Sequence, residues 1–478
     1  MINNNLIKIL KEKEERVNMR TLFLSKYKSP IIQITMNIPG ENKNSFLISF
    51  CFNYFIKHFD KKFCKLIKEK KCELKITKFF VCTNKNLNEI KKELIHIEEK
   101  NDFGRLLDID LFDEKGKKIS RGYNRKCLLC DKEAFVCAKN KAHSYNELQK
   151  KVNAILLNEA KNIISKEMYN ALLKELYTTP KLGCVSKTSN GSHKDLNIDI
   201  LKKSAKVISS IIPKKIFESD TSSFSTKYKL IYSNNKYFIN KEYFLFLQKV
   251  GLEAEYEMYK KTKNINTHKG AIYIFCILIG SLFFLFNLKI DDEYAFYNKN
   301  KQEILLNILC NISKYIATPV FDFDKEIGVK KENLLGFPHI KIAFDVLSKC
   351  NIIFDEAIIK EKMTNEKVYI ENKKYKKELE NLKQIIAYLH ITKSLYDTTT
   401  IHRGGKSGLA YVQNEVKKII QKYELFHKQN NYNITFDIEK YENLIKDINI
   451  LNDKMIEKNL TTGGGCDVLC IGMLCTVT

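Results

Sequence analysis

No tryptophan occurs in this sequence, and proline appears only 6 times in 478 residues. No Pro/Ser-rich linker and no clean internal repeat is visible, so domains have to be told apart by their element types. The first twenty residues are polar and charged, and they lack the apolar core of a secretory signal. Long apolar runs are missing too, with one exception. Ala271–Phe286 is short for a membrane span, which needs about 20 residues. It also contains Gly280 and Ser281 and abuts His268-Lys269, so a buried helix is the expectation, with no membrane partner. Acidic residues are outnumbered, leaving a formal charge of +25. The excess is mostly lysine dispersed along the whole chain, and asparagine and isoleucine are abundant as well. That pattern is a compositional bias, which the missing tryptophan fits, with lysine filling solvated faces. No basic stripe alternates with aromatics, so no nucleic-acid partner is expected.

What is present points to a multidomain protein. A chain this long exceeds one ordinary core. Its 14 cysteines are scattered, several of them within apolar segments (Cys276, Cys310, Cys350), as in a reduced, cytoplasmic protein. Residues 1–160 read as an α+β domain. Helical spacing covers Asn5–Ser25 and Phe46–Lys68. Strands are expected at Ile31–Ile38, Leu74–Cys82, Glu93–Glu98 and Leu106–Phe112, with turns at Pro39-Gly40 and Asp113–Gly116. Glu147–Lys166 reads as a helix at the join. Residues 161–478 read as a mostly all-α helical domain. Its amphipathic segments are Ile198–Ile212, Lys241–Lys261, Ala271–Leu288, Glu303–Ile316, Lys376–Ser394 and Gly408–Phe426.

The N-terminal part offers two clusters. Asp108 and Asp110 lie two apart, so on a strand they share a face. Such a pair can hold Mg²⁺ against a polyphosphate, with Arg105 steadying the phosphates. On spacing alone, a solvent-facing strand with two exposed aspartates fits better. Cys127, Cys130, Cys137 and His143 follow as C-x2-C-x6-C-x5-H. Three thiols and an imidazole suit structural Zn²⁺, although the spacing matches no standard finger; reduced cysteines packed under a turn are the alternative.

The C-terminal part carries two His-Lys loops, Gly191-Ser192-His193-Lys194-Asp195 and Asn266-Thr267-His268-Lys269-Gly270. Each is followed by a potential helix, and helix N-termini and ammonium groups both attract phosphate. That implies a polyphosphate or nucleotide substrate. Glu253, Glu255 and Glu257 precede the second loop; on a helix Glu253 and Glu257 share a face and Glu255 does not. Asp397 precedes Ile401–Gly408, whose Gly405-Lys406-Ser407 invites a P-loop reading. That reading fails, because the pattern needs a glycine where Thr400 stands.

Taken together, these motifs resemble two families. GRLLDIDLF, ISRGYNRKCLLCDKEAFVCAKNKAHS and PIIQITMNIPGENKNS, in residues 1–155, resemble the citrate lyase holo-acyl-carrier-protein synthase family. The resemblance implies transfer of a phosphoribosyl-dephospho-CoA group to a serine of the apo acyl-carrier (gamma) subunit, with pyrophosphate leaving. It makes Asp108 and Asp110 the metal-binding candidates. PKLGCVSKTSNGSHKDL, GLEAEYEMYKKTKNINTHKGAIY, GVKKENLLGFP, DTTTIHRGGKSGL and NLTTGGGCDVL, in residues 165–478, resemble the triphosphoribosyl-dephospho-CoA synthase family. There the implied reaction joins ATP and 3′-dephospho-CoA with loss of adenine. The candidate residues are His193, Lys194, Asp195, Glu255, His268, Lys269, Asp397 and Arg403. Lys194, Lys269 and Arg403 would meet phosphates, Glu255 and Asp397 would meet Mg²⁺ or the sugar, and His193 or His268 would serve as acid or base.

The chain departs from the second family's pattern at Leu182, Ser186, Lys330, Lys331, Thr399 and in Gly465-Cys466. Arg to Lys keeps charge but loses the bidentate fork. The expectation is a cytoplasmic bifunctional enzyme that makes and attaches the citrate lyase prosthetic group. The rival is a catalytically inactive, zinc-stabilised basic binding protein.

Overall fold

Alternation of apolar and polar residues in Ile31–Met36 and Leu107–Phe112 builds two strands that pair antiparallel, Ile31 opposite Phe112 and Met36 opposite Leu107. In the computed structural model, which describes residues 4–39, 45–59, 62–67, 76–83, 86–218, 231–233, 236–287, 301–354, 367–425, 432–436 and 438–476, the chain divides into two units, Met1–Ile163 and Ile164–Thr478. The first runs α1 (Asn4–Tyr27), β1 (Ile31–Met36), α2 (Phe46–His58), β2 (Cys64–Leu66), β3 (Thr77–Cys82), α3 (Leu87–Glu99), β4 (Leu107–Phe112) and α4 (Ala134–Lys139), then enters α5 (Tyr145–Tyr177). The sheet order is β2-β3-β1-β4, all antiparallel. One face carries Ile32, Ile34, Phe80, Leu107, Ile109 and Leu111, all buried. Phe59, just after α2, packs against Phe80 with the rings tilted and their centroids 4.9 Å apart. The opposite face is divided. Phe23 of α1 packs on Ile31 and Phe79 there, while Gln33, Thr35, Asp108 and Asp110 make its polar half.

The second unit is helical: α6 (Ile198–Phe217), α7 (Lys241–Lys261), α8 (Lys269–Asn287), α9 (Lys301–Ala317), α10 (Gly328–Leu334), α11 (Pro338–Lys349), α12 (Lys367–Thr392), α13 (Thr398–Lys422), α14 (Ile438–Glu457) and α15 (Gly463–Cys475). Two short ribbons interrupt it, antiparallel β5–β6 (Ile231–Ser233, Lys236–Phe238) and parallel β7–β8 (Cys350–Phe354, Tyr432–Phe436). The apolar helix α8 is the hub, in contact with α6, α7, α9 and α15. By length and composition it could cross a membrane, yet 83% of its most apolar window is buried within the protein. Each buried aliphatic or aromatic side chain there contributes roughly 1.5–3 kcal/mol.

Several local expectations are overturned. Glu93–Glu98 is helix, part of α3, because Ile90, Leu94 and Glu98 recur every four residues on its buried side and Asn86 caps it by accepting from the Glu89 amide at 3.3 Å. The helix expected over Phe46–Lys68 ends at His58, and Cys64–Leu66 joins the sheet edge beside β3. The helix expected from Gly408 begins earlier, at Thr398, as α13, with a break at Gly405 (φ 65°). Lys68, Leu74, Leu288, Phe426 and the stretch 40–44, all inside expected segments, lie outside the described residues.

Two candidate active sites

In the first unit, β4 sets Asp108 and Asp110 side by side on the polar half of the sheet, opposite Thr35 and Gln33 of β1. Both carboxylates are partnered. Arg125 donates to Asp108 at 3.0 Å, and Lys118 stands 2.6 Å from Asp110. Arg20 of α1 donates to Gln33 at 3.2 Å and lies over the Phe112 ring. Behind this surface Glu98 is buried, accepts from the Ile109 amide at 2.8 Å, and receives Arg121 and Arg125. Burial raises its carboxyl pKa, opposed first by Arg125. Arg105, expected at a phosphate, donates to the Cys127 carbonyl. Glu98 was missed as a site residue, since a helical glutamate carries no motif; Arg121 and Arg125 lay unused inside a quoted one. Cys127, Cys130, Cys137 and His143 do come together, their ligand atoms all within 4.8 Å of one another.

In the second unit, segments far apart in sequence meet around the loop 178–195. Gly183 takes φ +65°, and a Cβ there would run into the Leu460 carbonyl, so only glycine fits. Its amide donates to Asn452 at 2.8 Å. Lys181 is buried and donates to Glu175. Burial alone would lower its pKa, but Glu175 outweighs that and holds the ammonium above its ordinary value. Cys184 lies against Thr461 and Thr462. A hydrogen bond from Cys466, with help from Lys181, lowers its thiol to about 6 in spite of burial.

Three helices begin around this loop. Asp397 caps α13, accepting from the Thr399 and Thr400 amides at 2.9 and 3.1 Å, while its other oxygen accepts from Gly465, in the first turn of α15, at 3.1 Å. Burial raises its pKa against the pull of those amides. Asp467 meets the start of α8, where Gly270 leaves no room for a Cβ beside its carboxylate. Burial, then Glu175 and Asp397, push it well above the carboxylate range. His268 precedes α8, with Ser204 2.7 Å from Nδ1, and burial lowers the imidazole to about 4. Arg403 donates to the Ser192 carbonyl at 2.9 Å and faces His193 Nδ1 at 3.2 Å, and Thr461 sits 3.3 Å from His193 Nε2. Burial, then Arg403, lower that imidazole as well.

Glu255 pairs with Lys269 at 3.3 Å, whereas Glu253 turns to Lys215. Lys194 and Asp195 are exposed on the outgoing strand of the loop. Sequence reasoning missed Glu175, Ser204 and Asn459, which sit in or beside ordinary helices. It also passed over Asp467, though its motif was visible.

Comparison with known proteins decides the relationship. A family profile for apo-citrate lyase phosphoribosyl-dephospho-CoA transferase matches residues 4–159, and one for ATP:dephospho-CoA triphosphoribosyl transferase matches residues 161–305. The N-terminal part thus matches the first family's profile and the part that follows matches the second's. A protein named CitXG from Haemophilus influenzae is 26% identical over 97% of this chain and 94% of its own length. Another CitXG, from Leuconostoc mesenteroides subsp. cremoris, is 28% identical over 58% of this chain and 61% of its own. A 2-(5''-triphosphoribosyl)-3'-dephosphocoenzyme-A synthase from Haemophilus ducreyi is 23% identical over 72% of this chain and 97% of its own. The protein therefore carries two transferase domains of citrate lyase prosthetic-group biosynthesis. The synthase profile ends at residue 305, yet Arg403 and 460–462 bond to the loop that the profile covers, and Asp397 joins Gly465 just beyond them. The departures are absorbed structurally: Leu182 is buried with its amide bonded to Tyr388 at 3.0 Å, and Thr399 stands over Gly463. Lys330 pairs with Glu326 at 3.4 Å, and Lys331 lies on the Phe323 ring.

Proposed function

We propose that the helical domain joins ATP to 3′-dephospho-CoA with release of adenine, and that the α+β domain moves the phosphoribosyl-dephospho-CoA group onto a serine of the apo acyl-carrier (gamma) subunit of citrate lyase, releasing pyrophosphate. The observation that carries the reading is the meeting of Lys181, His193, His268, Asp397, Arg403 and Asp467 around three helix starts. A triphosphate suits helix N-termini and basic groups, and a developing ribosyl cation suits nearby carboxylates.

Arg403 has only hydrogens to offer, so the facing His193 Nδ1 accepts and its proton sits on Nε2. Thr267 donates to Ser204 at 2.7 Å, and Ser204 in turn meets His268 Nδ1, which leaves Nε2–H as the ring's donor. Both imidazoles are thereby held neutral; His268 keeps its Nε2–H as a donor for a substrate heteroatom, while the His193 Nε2–H faces Thr461. Lys194, Lys269 and Arg403 serve the phosphates, and Glu255 and Asp397 the sugar or Mg²⁺. Asp467, a carboxyl held towards its protonated form, joins them as a proton source for the departing adenine.

In the α+β domain, Asp108 and Asp110 fit Mg²⁺: two oxygen donors on one strand face, each with a second oxygen beyond its ion pair. When bound, Mg²⁺ would offset the charge of the leaving pyrophosphate. Arg20 and Arg125 flank the pair and orient the phosphates. Both reactions are placed in the cytoplasm, which the free cysteines among the described residues support.

The test is to incubate the protein with ATP, Mg²⁺ and 3′-dephospho-CoA and to measure free adenine. Adenine should form only when dephospho-CoA is present, and Glu255→Ala or His268→Ala should cut the rate by about 10²-fold or more. No adenine from a protein that binds both substrates would overturn the synthase assignment.

A further inference from the structure

The segment between β4 and α5 has almost no core of its own. From Asp113 to Lys150, Cys127 and Cys137 are the only buried residues. One short helix, α4, an isolated bridge between Lys126 and Glu133 and another from Lys118 back to Phe112 are its regular structure. Apolar burial cannot hold such a segment in one conformation, and small units of this kind are usually stapled by a disulfide or a metal. A disulfide does not describe it. Cys130 and Cys137 have sulfurs 3.5 Å apart, against about 2.05 Å for a bond, and a third thiol would be left over.

The spacing is that of a coordination shell. His143 Nε2 stands 3.3 Å from Cys130 Sγ, and all four ligand atoms lie within 4.8 Å of one another. Ligands on a tetrahedron around Zn²⁺ sit roughly 3.5–3.8 Å apart; the Cys130–Cys137 and Cys130–His143 pairs, at 3.5 and 3.3 Å, already stand at about that spacing, and the remaining pairs need to close by about 1 Å at most. The backbone is arranged for it as well. The Cys127 amide donates to Lys132 at 2.7 Å, closing the C-x2-C turn, and the Leu129 amide points at Cys127 Sγ at 3.5 Å.

We propose that Cys127, Cys130, Cys137 and His143 bind one Zn²⁺, and that this ion positions Arg125 on Asp108. The Cys127 carbonyl takes the Arg105 guanidinium. Two residues before Cys127, Arg125 donates to the Leu107 carbonyl at 2.8 Å and to Asp108 at 3.0 Å, while its own carbonyl accepts from Ala134 at 2.8 Å. The loop that the ion closes is thus the loop that delivers Arg125. The binding of zinc stands by itself; the role of Arg125 rests on the reading of Asp108 given above.

The test is metal analysis of the full-length protein purified without chelator. About one zinc per chain is expected. Titrating the unmutated protein with an organomercurial thiol reagent should release it, and cobalt(II) reconstitution should give thiolate-to-cobalt absorption. Cys130→Ser and His143→Ala should each lower zinc content or affinity by about tenfold or more, while Asp108→Asn should keep its zinc. Unmutated protein that holds no zinc and takes up no cobalt would overturn the proposal, as would full zinc retained by Cys130→Ser. One zinc per chain with undiminished transfer by Asp108→Asn would leave the metal standing and remove Asp108 from the transferase site.

Discussion

His268 shows how one side chain can serve two ends. Burial holds its imidazole at about 4, against an ordinary value of 6.5. An unfolded chain takes up a proton on this residue below about 6.5, while the folded chain refuses it until about 4. Its contribution to stability is therefore intact above pH 6.5 and is lost as pH falls through that window, by on the order of 3 kcal/mol at the bottom. His268→Gln should flatten the acid side of the stability curve between those two values, read as urea midpoints against pH. Identical curves for the two proteins would mean that the imidazole is not the neutral buried group described. Glu255 is a contrasting case. Its ion pair with Lys269 is partly exposed, so it adds little stability, and its loss should be felt in turnover.

Among the elements, α8 tests the balance between composition and surroundings. Taken alone, it passes for a membrane span. In the fold its apolar faces are shared among the neighbouring helices, and Tyr243 donates to its Gly280 carbonyl at 2.7 Å. The protein should stay in the supernatant after high-speed centrifugation without detergent, and adding mild detergent should leave its Tm unchanged. Partition into the membrane pellet would overturn the buried assignment. Helix periodicity made most long elements legible, because a buried stripe every three or four residues is written directly in the chain. It misled at Glu93–Glu98, where the six-residue window was too short to tell the two periods apart. The ribbons β5–β6 and β7–β8 were invisible for a different reason. Strands of three to five residues are stabilised by their partners, and parallel β7 and β8 pair across many intervening residues. The candidate sites were legible where glycine or histidine marked a loop. They were not legible at Glu175 or Ser204, whose importance arises only when another segment packs against them.

At the scale of the whole molecule, two reactions share one chain, and the product of the helical domain is the donor for the other. A variant defective in synthesis, Glu255→Gln, mixed with one defective in transfer, Asp108→Asn, should together modify the acyl carrier, because the intermediate is a small molecule free to diffuse. The mixture should show a lag that the unmutated chain lacks, since linkage raises the local concentration of donor. Failure of the mixture at any concentration would mean that the intermediate is never released.

Contacts between the 178–195 loop and residues 459–462 span separations of up to 280 positions. The carboxylates of the α+β domain meet partners fewer than thirty positions away. A ribosome emits the chain from its amino end, and domains fold as they emerge. The attaching enzyme is thus finished early in translation, while the synthesising site waits until the ribosome has passed residue 467. The order of manufacture is the reverse of the order of use, and a chain abandoned late in translation would hold an attaching domain with no supply of its own donor.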